Sequence, residues 1–137
     1  MFDKRKMGLL ASVAALGLGA TTAVAQQVAV EEAALGKSTV RLYVHPFLTA
    51  DELTTLRLVM TNEQALALFV PNSAGHAALA AAPGEGVIRD GKPVASAIAL
   101  ADLPDPASAA KAASAACDQA KTTKSPCVVV LEIAPKN

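Results

Sequence analysis

Apolar and polar residues alternate from Thr39 to His45, with Val40, Leu42 and Val44 on one side and Arg41, Tyr43 and His45 on the other. A period of two over seven residues predicts a half-buried strand. Pro46 stops it, and Thr49-Ala50-Asp51-Glu52 then has the spacing of a capping box. In that motif a threonine hydroxyl and a glutamate carboxylate satisfy backbone donors at a helix start. Leu53, Leu56 and Met60 fall on one side of the short helix so opened, and Thr61-Asn62-Glu63-Gln64 offers a second cap at which it ends. Ala65 to Val70 fits a short helix or a strand equally well, with Leu66, Leu68 and Val70 on one face in the second case. Pro71 to Gly75 closes the segment as a turn.

Two apolar runs follow, His76 to Ala82 and Val94 to Ala101, separated by Pro83-Gly84-Glu85-Gly86 and Asp90-Gly91-Lys92-Pro93. They predict a hairpin whose connection is longer than the usual two to five residues, with Val87 and Ile88 extending one arm. Asp105 as N-cap and Pro106 at the first helical position open the clearest helix, an Ala-rich stretch running to about Gln119. After the polar turn from Lys121 to Pro126, Cys127-Val-Val-Val-Leu-Glu-Ile133 reads as a strand in the middle of a sheet. Simple alternation from Cys127 puts Val129, Leu131 and Ile133 on the helix-facing side, and Val128, Val130 and Glu132 on the other. A carboxylate on a dry face is costly, so Glu132 is expected to be wetted or ion-paired.

Ahead of these elements, residues 26–38 are small, polar and Ala-rich, with adjacent Glu31 and Glu32, and are expected to form a flexible lead-in. Residues 1–25 have the build of a secretory signal peptide. Lys4-Arg5-Lys6 is the basic region, Met7 to Ala20 the apolar stretch, and Ala23-Val24-Ala25 the small-residue cleavage site. The apolar stretch is shorter than the roughly 20 residues that span a bilayer, so cleavage before Gln26 is expected, with no membrane anchor afterwards. The domain division is then 1–25 signal peptide, 26–38 lead-in and 39–137 a single domain, in a periplasmic or secreted protein.

Export changes the meaning of charge and of cysteine. The 137-residue chain is formally neutral, but loss of Asp3, Lys4, Arg5 and Lys6 leaves nine basic against eleven acidic residues, which argues against a nucleic-acid partner. Cys117 and Cys127 are the only two cysteines, and in an oxidising compartment such a pair is expected to be a disulfide. No His neighbours either Cys to suggest zinc, and no C-x-x-C motif suggests thiol exchange. The fold class expected is α+β: a small single-domain sheet with an Ala-rich helix tied to the last strand by that disulfide.

The stretch from His76 onward, with "HAALAAAPGEG", "VASAIAL", "DPASAAKAASAAC" and "CVVVLEIAP", resembles small exported bacterial modules of the DUF4189 type. The resemblance covers less than half of the chain and implies a small α+β unit stapled by the two cysteines, with no established activity attached. The aromatic residues and paired Gly often seen in the hairpin of such modules are missing. A looser similarity, carried by "APGEG" and "PCVVVLE", is to small alphaproteobacterial exported proteins, some of them labelled 5-aminolevulinate synthase. The mature chain is far too short for the large pyridoxal-phosphate domain such an enzyme requires.

Chemistry-bearing residues are few. His45 and His76 are the only histidines, and with Glu85 or Asp90 they have no recognisable metal-ligand spacing. Ser73 precedes His76 closely but lacks the Gly-x-Ser-x-Gly elbow. Gly84-Glu85-Gly86 has no following Gly-Lys-Ser/Thr and is a turn, not a phosphate loop. Asp51 and Glu52 are adjacent and so point apart on a helix. No catalytic, metal or cofactor-binding residue is assigned, and the disulfide residues Cys117 and Cys127 are the only site. Two function classes follow. The first is a non-catalytic exported accessory or protein-interaction module with an envelope protein as partner. The second is a small hydrolase or ligand-binding protein using His45, His76 and a carboxylate, and it requires those groups to converge.

Overall fold

Residues 28–69 and 75–136 are described by a computed structural model. In chain order the elements are β1 (Ala29–Leu35), β2 (Ser38–Val44), α1 (Ala50–Thr61), α2 (Glu63–Phe69), β3 (His76–Ala81), β4 (Ile88–Arg89), β5 (Lys92–Pro93), β6 (Ile98–Leu103), α3 (Pro106–Ala120) and β7 (Val128–Pro135). Residues 1–25, expected to be a signal peptide, and residues 70–74, where a turn containing Ser73 is expected, lie outside the described residues.

Five strands pair antiparallel in the order β1-β2-β7-β3-β6. Helices α1 and α2 cover one face and α3 covers part of the other, so the chain is α+β. On the first face Leu56, Val59 and Met60 of α1 and Leu66 of α2 meet Val40, Leu42, Leu79, Leu131 and Ile133. Alanines build the second, where Ala109, Ala113 and Cys117 of α3 lie against Ala78, Ala80 and Ala82. The inner strand β3 is buried on both sides, which explains its unbroken run of small apolar residues.

Caps act as their residue types demand. The Thr49 hydroxyl accepts from Glu52 N at 3.1 Å and Glu52 Oε1 accepts from Thr49 N at 2.9 Å, forming the expected capping box. Asn62 Oδ1 accepts from Ala65 N at 2.9 Å and starts α2, so the ambiguous 65–70 segment is helical as far as Phe69. Asp105 Oδ1 accepts from Ser108 N at 2.7 Å at the head of α3.

The Cys117–Cys127 disulfide joins α3 to the approach to β7. Next to it, Asp118 Oδ1 accepts from Cys127 N at 2.9 Å and lies 3.0 Å from Lys121 Nζ.

Four expectations are corrected. The flexible lead-in is instead a turn with a strand: Ala29–Leu35 forms β1, paired residue for residue with β2 across Gly36-Lys37. Its Ala-rich sequence has weak strand propensity of its own, and the exposed edge of β2 supplies the template. The second hairpin arm begins at Ile98 rather than Val94, because Ala97 N donates to Val94 O and the buried Ser96 hydroxyl donates to the Glu85 carboxylate, bending 94–97 into a turn. Ile88 does not extend the long arm either. It opens a small hairpin of its own, β4–β5, around Asp90-Gly91, whose φ values of 55° and 74° are those of a tight two-residue turn.

The fourth correction is to the facing of β7. Ala80 pairs with Val129 but Leu79 pairs with Leu131, so Val130 is an extra residue in a bulge. Alternation resets there. Val129 still faces α3, but Val130, Leu131 and Ile133 all join the α1–α2 core, and Glu132 turns to the α3 side beside Ala78.

Candidate functional site

Helix α3 lies over β3, β6 and β7 and makes no substantial contact with β1 or β2. Among the described residues no helix covers that half of the sheet face. Register places three rows there: Val30 opposite Tyr43, Glu32 opposite Arg41 opposite Glu132, and Ala34 opposite Thr39 opposite Ala134. Period-two alternation sends Val30, Glu32 and Ala34 of β1 and Thr39, Arg41 and Tyr43 of β2 this way, and Ala33, Leu35, Val40 and Leu42 toward α1.

The middle row is an ionic chain. Arg41 donates through Nη2 and Nε to Glu32 Oε2 at 2.8 and 3.2 Å, and its Nη1 lies 3.7 Å from Glu132 Oε1. Tyr43 donates its hydroxyl to the same Glu132 oxygen at 2.7 Å. Arg41 and Glu32 are about half exposed, so their pair contributes under about 1 kcal/mol to stability. Glu132 is three-quarters buried and holds the more committed geometry. The Glu32 hydrogen bond keeps the Arg41 guanidinium firmly charged, while burial and then the Glu132 carboxylate raise the Tyr43 phenol above its ordinary value. The expectation that Glu132 is wetted or ion-paired is met by its ion pair with Arg41.

Where this row meets the head of α3 the surface sinks into a cleft of about 150 Å³, whose polar and charged lining is Glu32, Thr39, Arg41, His76 and Glu132, with Pro106 at its rim. Among the described residues Nδ1 of His76, a lining residue, is buried without a hydrogen-bond partner.

His45 stands elsewhere. Its Nε2 donates to the Val129 carbonyl at 2.8 Å and its ring stacks on Phe47 with centroids 5.4 Å apart. His76 immediately precedes Ala77, which pairs with Ile133. Val129 and Ile133 are four residues apart on β7, so roughly 13 Å of strand separates the two histidines. They do not converge on one carboxylate. Glu85 is taken up by Ser96 and by Thr122, whose N and Oγ1 donate at 2.7 and 2.6 Å, and Asp90 sits in the β4–β5 turn. Among the described residues no group of three His, Cys, Asp or Glu could hold a metal ion.

Asp51 is exposed and Glu52 buried, as their adjacency requires. Glu52 has a second task that its cap spacing does not reveal. Its Oε2 accepts from Val87 N at 2.6 Å and Ile88 N at 2.9 Å, with Arg89 Nε at 3.3 Å, clamping the loop before β4 onto α1. Burial alone would raise this carboxyl, but the backbone donors of Thr49, Ile88 and Val87 together with Arg89 outweigh it and hold it at about 2. This is a structural anchor rather than reactive chemistry.

In the sequence, Arg41, Tyr43 and His45 already share one face of a strand. Glu132 could not be added to them, because nothing local indicates that β2 pairs with β7 or that the Val130 bulge turns Glu132 toward α3. Among the described residues no helix is long and apolar enough to cross a membrane. In comparisons with known proteins, no family model, no curated protein and no solved structure matches the chain.

Proposed function

We propose that the chain is an exported, non-catalytic protein-interaction module of the bacterial envelope, and that the half of the sheet left bare by α3 is its contact surface. The supporting observation is the asymmetry of cover. One sheet face is closed by α1 and α2, whereas on the other Val30 stays 49% exposed beside Tyr43 and the Glu32–Arg41–Glu132 row. An aromatic and an arginine next to an exposed aliphatic residue are the side chains that interfaces favour. The polar groups here are held by one another in a fixed lattice, which suits recognition better than proton transfer. The free edge of β1 carries Glu31 and Glu32, which discourage indiscriminate strand pairing.

A photo-crosslinking amino acid placed at Val30 or Thr39, and at Lys111 on the outer side of α3 as a control, tests the reading in cells that export the protein. Discrete adducts are expected from the first two positions and none from Lys111. Absence of adducts from all three, or equal labelling from Lys111, would overturn the assignment of the surface.

A further inference from the structure

We propose that the cleft between β7 and the head of α3 receives a cationic side chain of the partner protein, a lysine ammonium or an arginine guanidinium, with Glu132 and Glu32 as its carboxylate contacts. This inference rests on the interaction reading and specifies what the partner must present.

Charge selects the occupant. The lining carries two carboxylates, Glu32 and Glu132, against one guanidinium, Arg41, and Asp105 caps α3 beside Pro106 at the rim. Lys37 and Lys136 stand beyond the strand ends and do not line the cleft. An anion would meet a net negative site. The acceptors are also unequal in use. Tyr43 and Arg41 both approach Oε1 of Glu132, and Arg41 spends both of its close hydrogen bonds on Oε2 of Glu32. Among the described residues no hydrogen bond reaches Glu132 Oε2 or Glu32 Oε1. A three-quarters-buried carboxylate with an idle oxygen strengthens any charge-assisted bond offered to it, because water competes less there.

Shape narrows the choice to a side chain. Ala77, Ile133 and Ala134 give the cleft apolar walls suited to an aliphatic stem whose charged head reaches the carboxylates. About 150 Å³ is well below the roughly 300–1,000 Å³ of sites that engulf a drug-sized ligand. The cleft opens onto the bare sheet face, so the backbone bearing such a side chain would lie across β1 and β2.

The test is an NMR titration of the isotopically labelled mature protein with four probes: N-acetyl-lysine methylamide, N-acetyl-arginine methylamide, the neutral isostere N-acetyl-norleucine methylamide, and 1,4-diaminobutane as a free amine. Saturable shifts at Thr39, Arg41, His76 and Glu132 are expected with a blocked basic amino acid, with norleucine at least about tenfold weaker. Glu132→Gln, which keeps an acceptor for Tyr43, should weaken the basic probe by about tenfold while the thermal midpoint and the remaining spectrum stay in place. Equal binding of norleucine, shifts elsewhere on the protein, or an unaffected Glu132→Gln variant would overturn the proposal. Tighter binding of the diamine than of either blocked amino acid would overturn the protein-borne source. If crosslinks form at Val30 and Thr39 but no basic probe binds, the contact surface stands and the cationic occupant falls. If the probes bind as expected but no crosslinks form, the interaction reading itself fails.

Discussion

At Glu52 one buried carboxylate closes a helix cap and holds a loop that lies 35 residues further along the chain. The cap was legible, because Thr-x-x-Glu before an apolar helix is a local pattern. The loop anchor was not, because it depends on where Val87 and Ile88 are brought by the fold. It has a direct consequence for acid stability. The folded carboxyl titrates near 2, below its ordinary 4.5, so its contribution is fully present above about pH 4.5 and disappears as pH falls toward 2. That contribution is on the order of 3 kcal/mol. Glu52→Gln should therefore lower stability at neutral pH and flatten the fall in the thermal midpoint between pH 4.5 and 2. A variant with the same acid limb as the parent would show that the anchor contributes little. His45, by contrast, is a strand-end residue bonded to the Val129 carbonyl and far along β7 from His76. Metal analysis of the purified protein is expected to find no stoichiometric zinc or copper, and none that is lost on His45→Ala.

Helix α3 packs close to the sheet because both surfaces are alanine, with Ala109 and Ala113 set against Ala78 and Ala80. Close approach comes with little area, since an Ala methyl removes far less surface from water than the roughly 1.5–3 kcal/mol worth of a Leu or Phe. Ala113 is fully buried, so Ala113→Leu should destabilise by about 1–3 kcal/mol through overpacking, measured as a lower urea midpoint at unchanged m. The disulfide compensates for this thin interface. Closing a loop with a sequence separation of 10 restricts the unfolded chain by about 2–3 kcal/mol, and Cys117→Ser should lose that much. The Cys117→Ser/Cys127→Ser double change should be little worse than either single one. Two free thiols in denatured, unreduced protein, or a midpoint indifferent to reductant, would contradict it. At this scale the helix, its cap and its staple were all readable, because Asp-Pro, the Ala run and a lone Cys pair are local signals. The facing of β7 was not. Period-two reasoning holds only while the ladder is regular, and Val130 carries no mark of the bulge that inverts everything after it.

For the molecule as a whole, the α+β class and the closing helix–strand unit followed from the chain's patterning, while the strand order and the place of β1 did not. Ala-Val-Glu-Glu-Ala-Ala-Leu alternates weakly and becomes a strand only because β2 offers it an edge. Once formed it is integral. Ala33 and Leu35 pack on the α1 core, and Arg57 of α1 donates to Glu31 at 3.0 and 2.8 Å, tying helix to edge. This bears on the proposed export. Cleavage before Gln26 would leave three residues ahead of Ala29, so a signal peptidase would cut close to β1 without entering it. Intact mass of the protein recovered after expression with export is expected to correspond to a chain starting near Gln26; a mass that still includes Met1 to Ala25 would overturn the export reading. A chain started at Gly36 instead would lose β1 and its two packing residues, expose the edge of β2, and leave Arg57 without Glu31. Its thermal midpoint should fall well below that of the Gln26 form, and it should self-associate through the bared strand, measured by light scattering at matched concentration. A truncated chain as stable and as monomeric as the Gln26 form would mean that β1 is an appendage, and that the interaction surface is confined to β2 and β7.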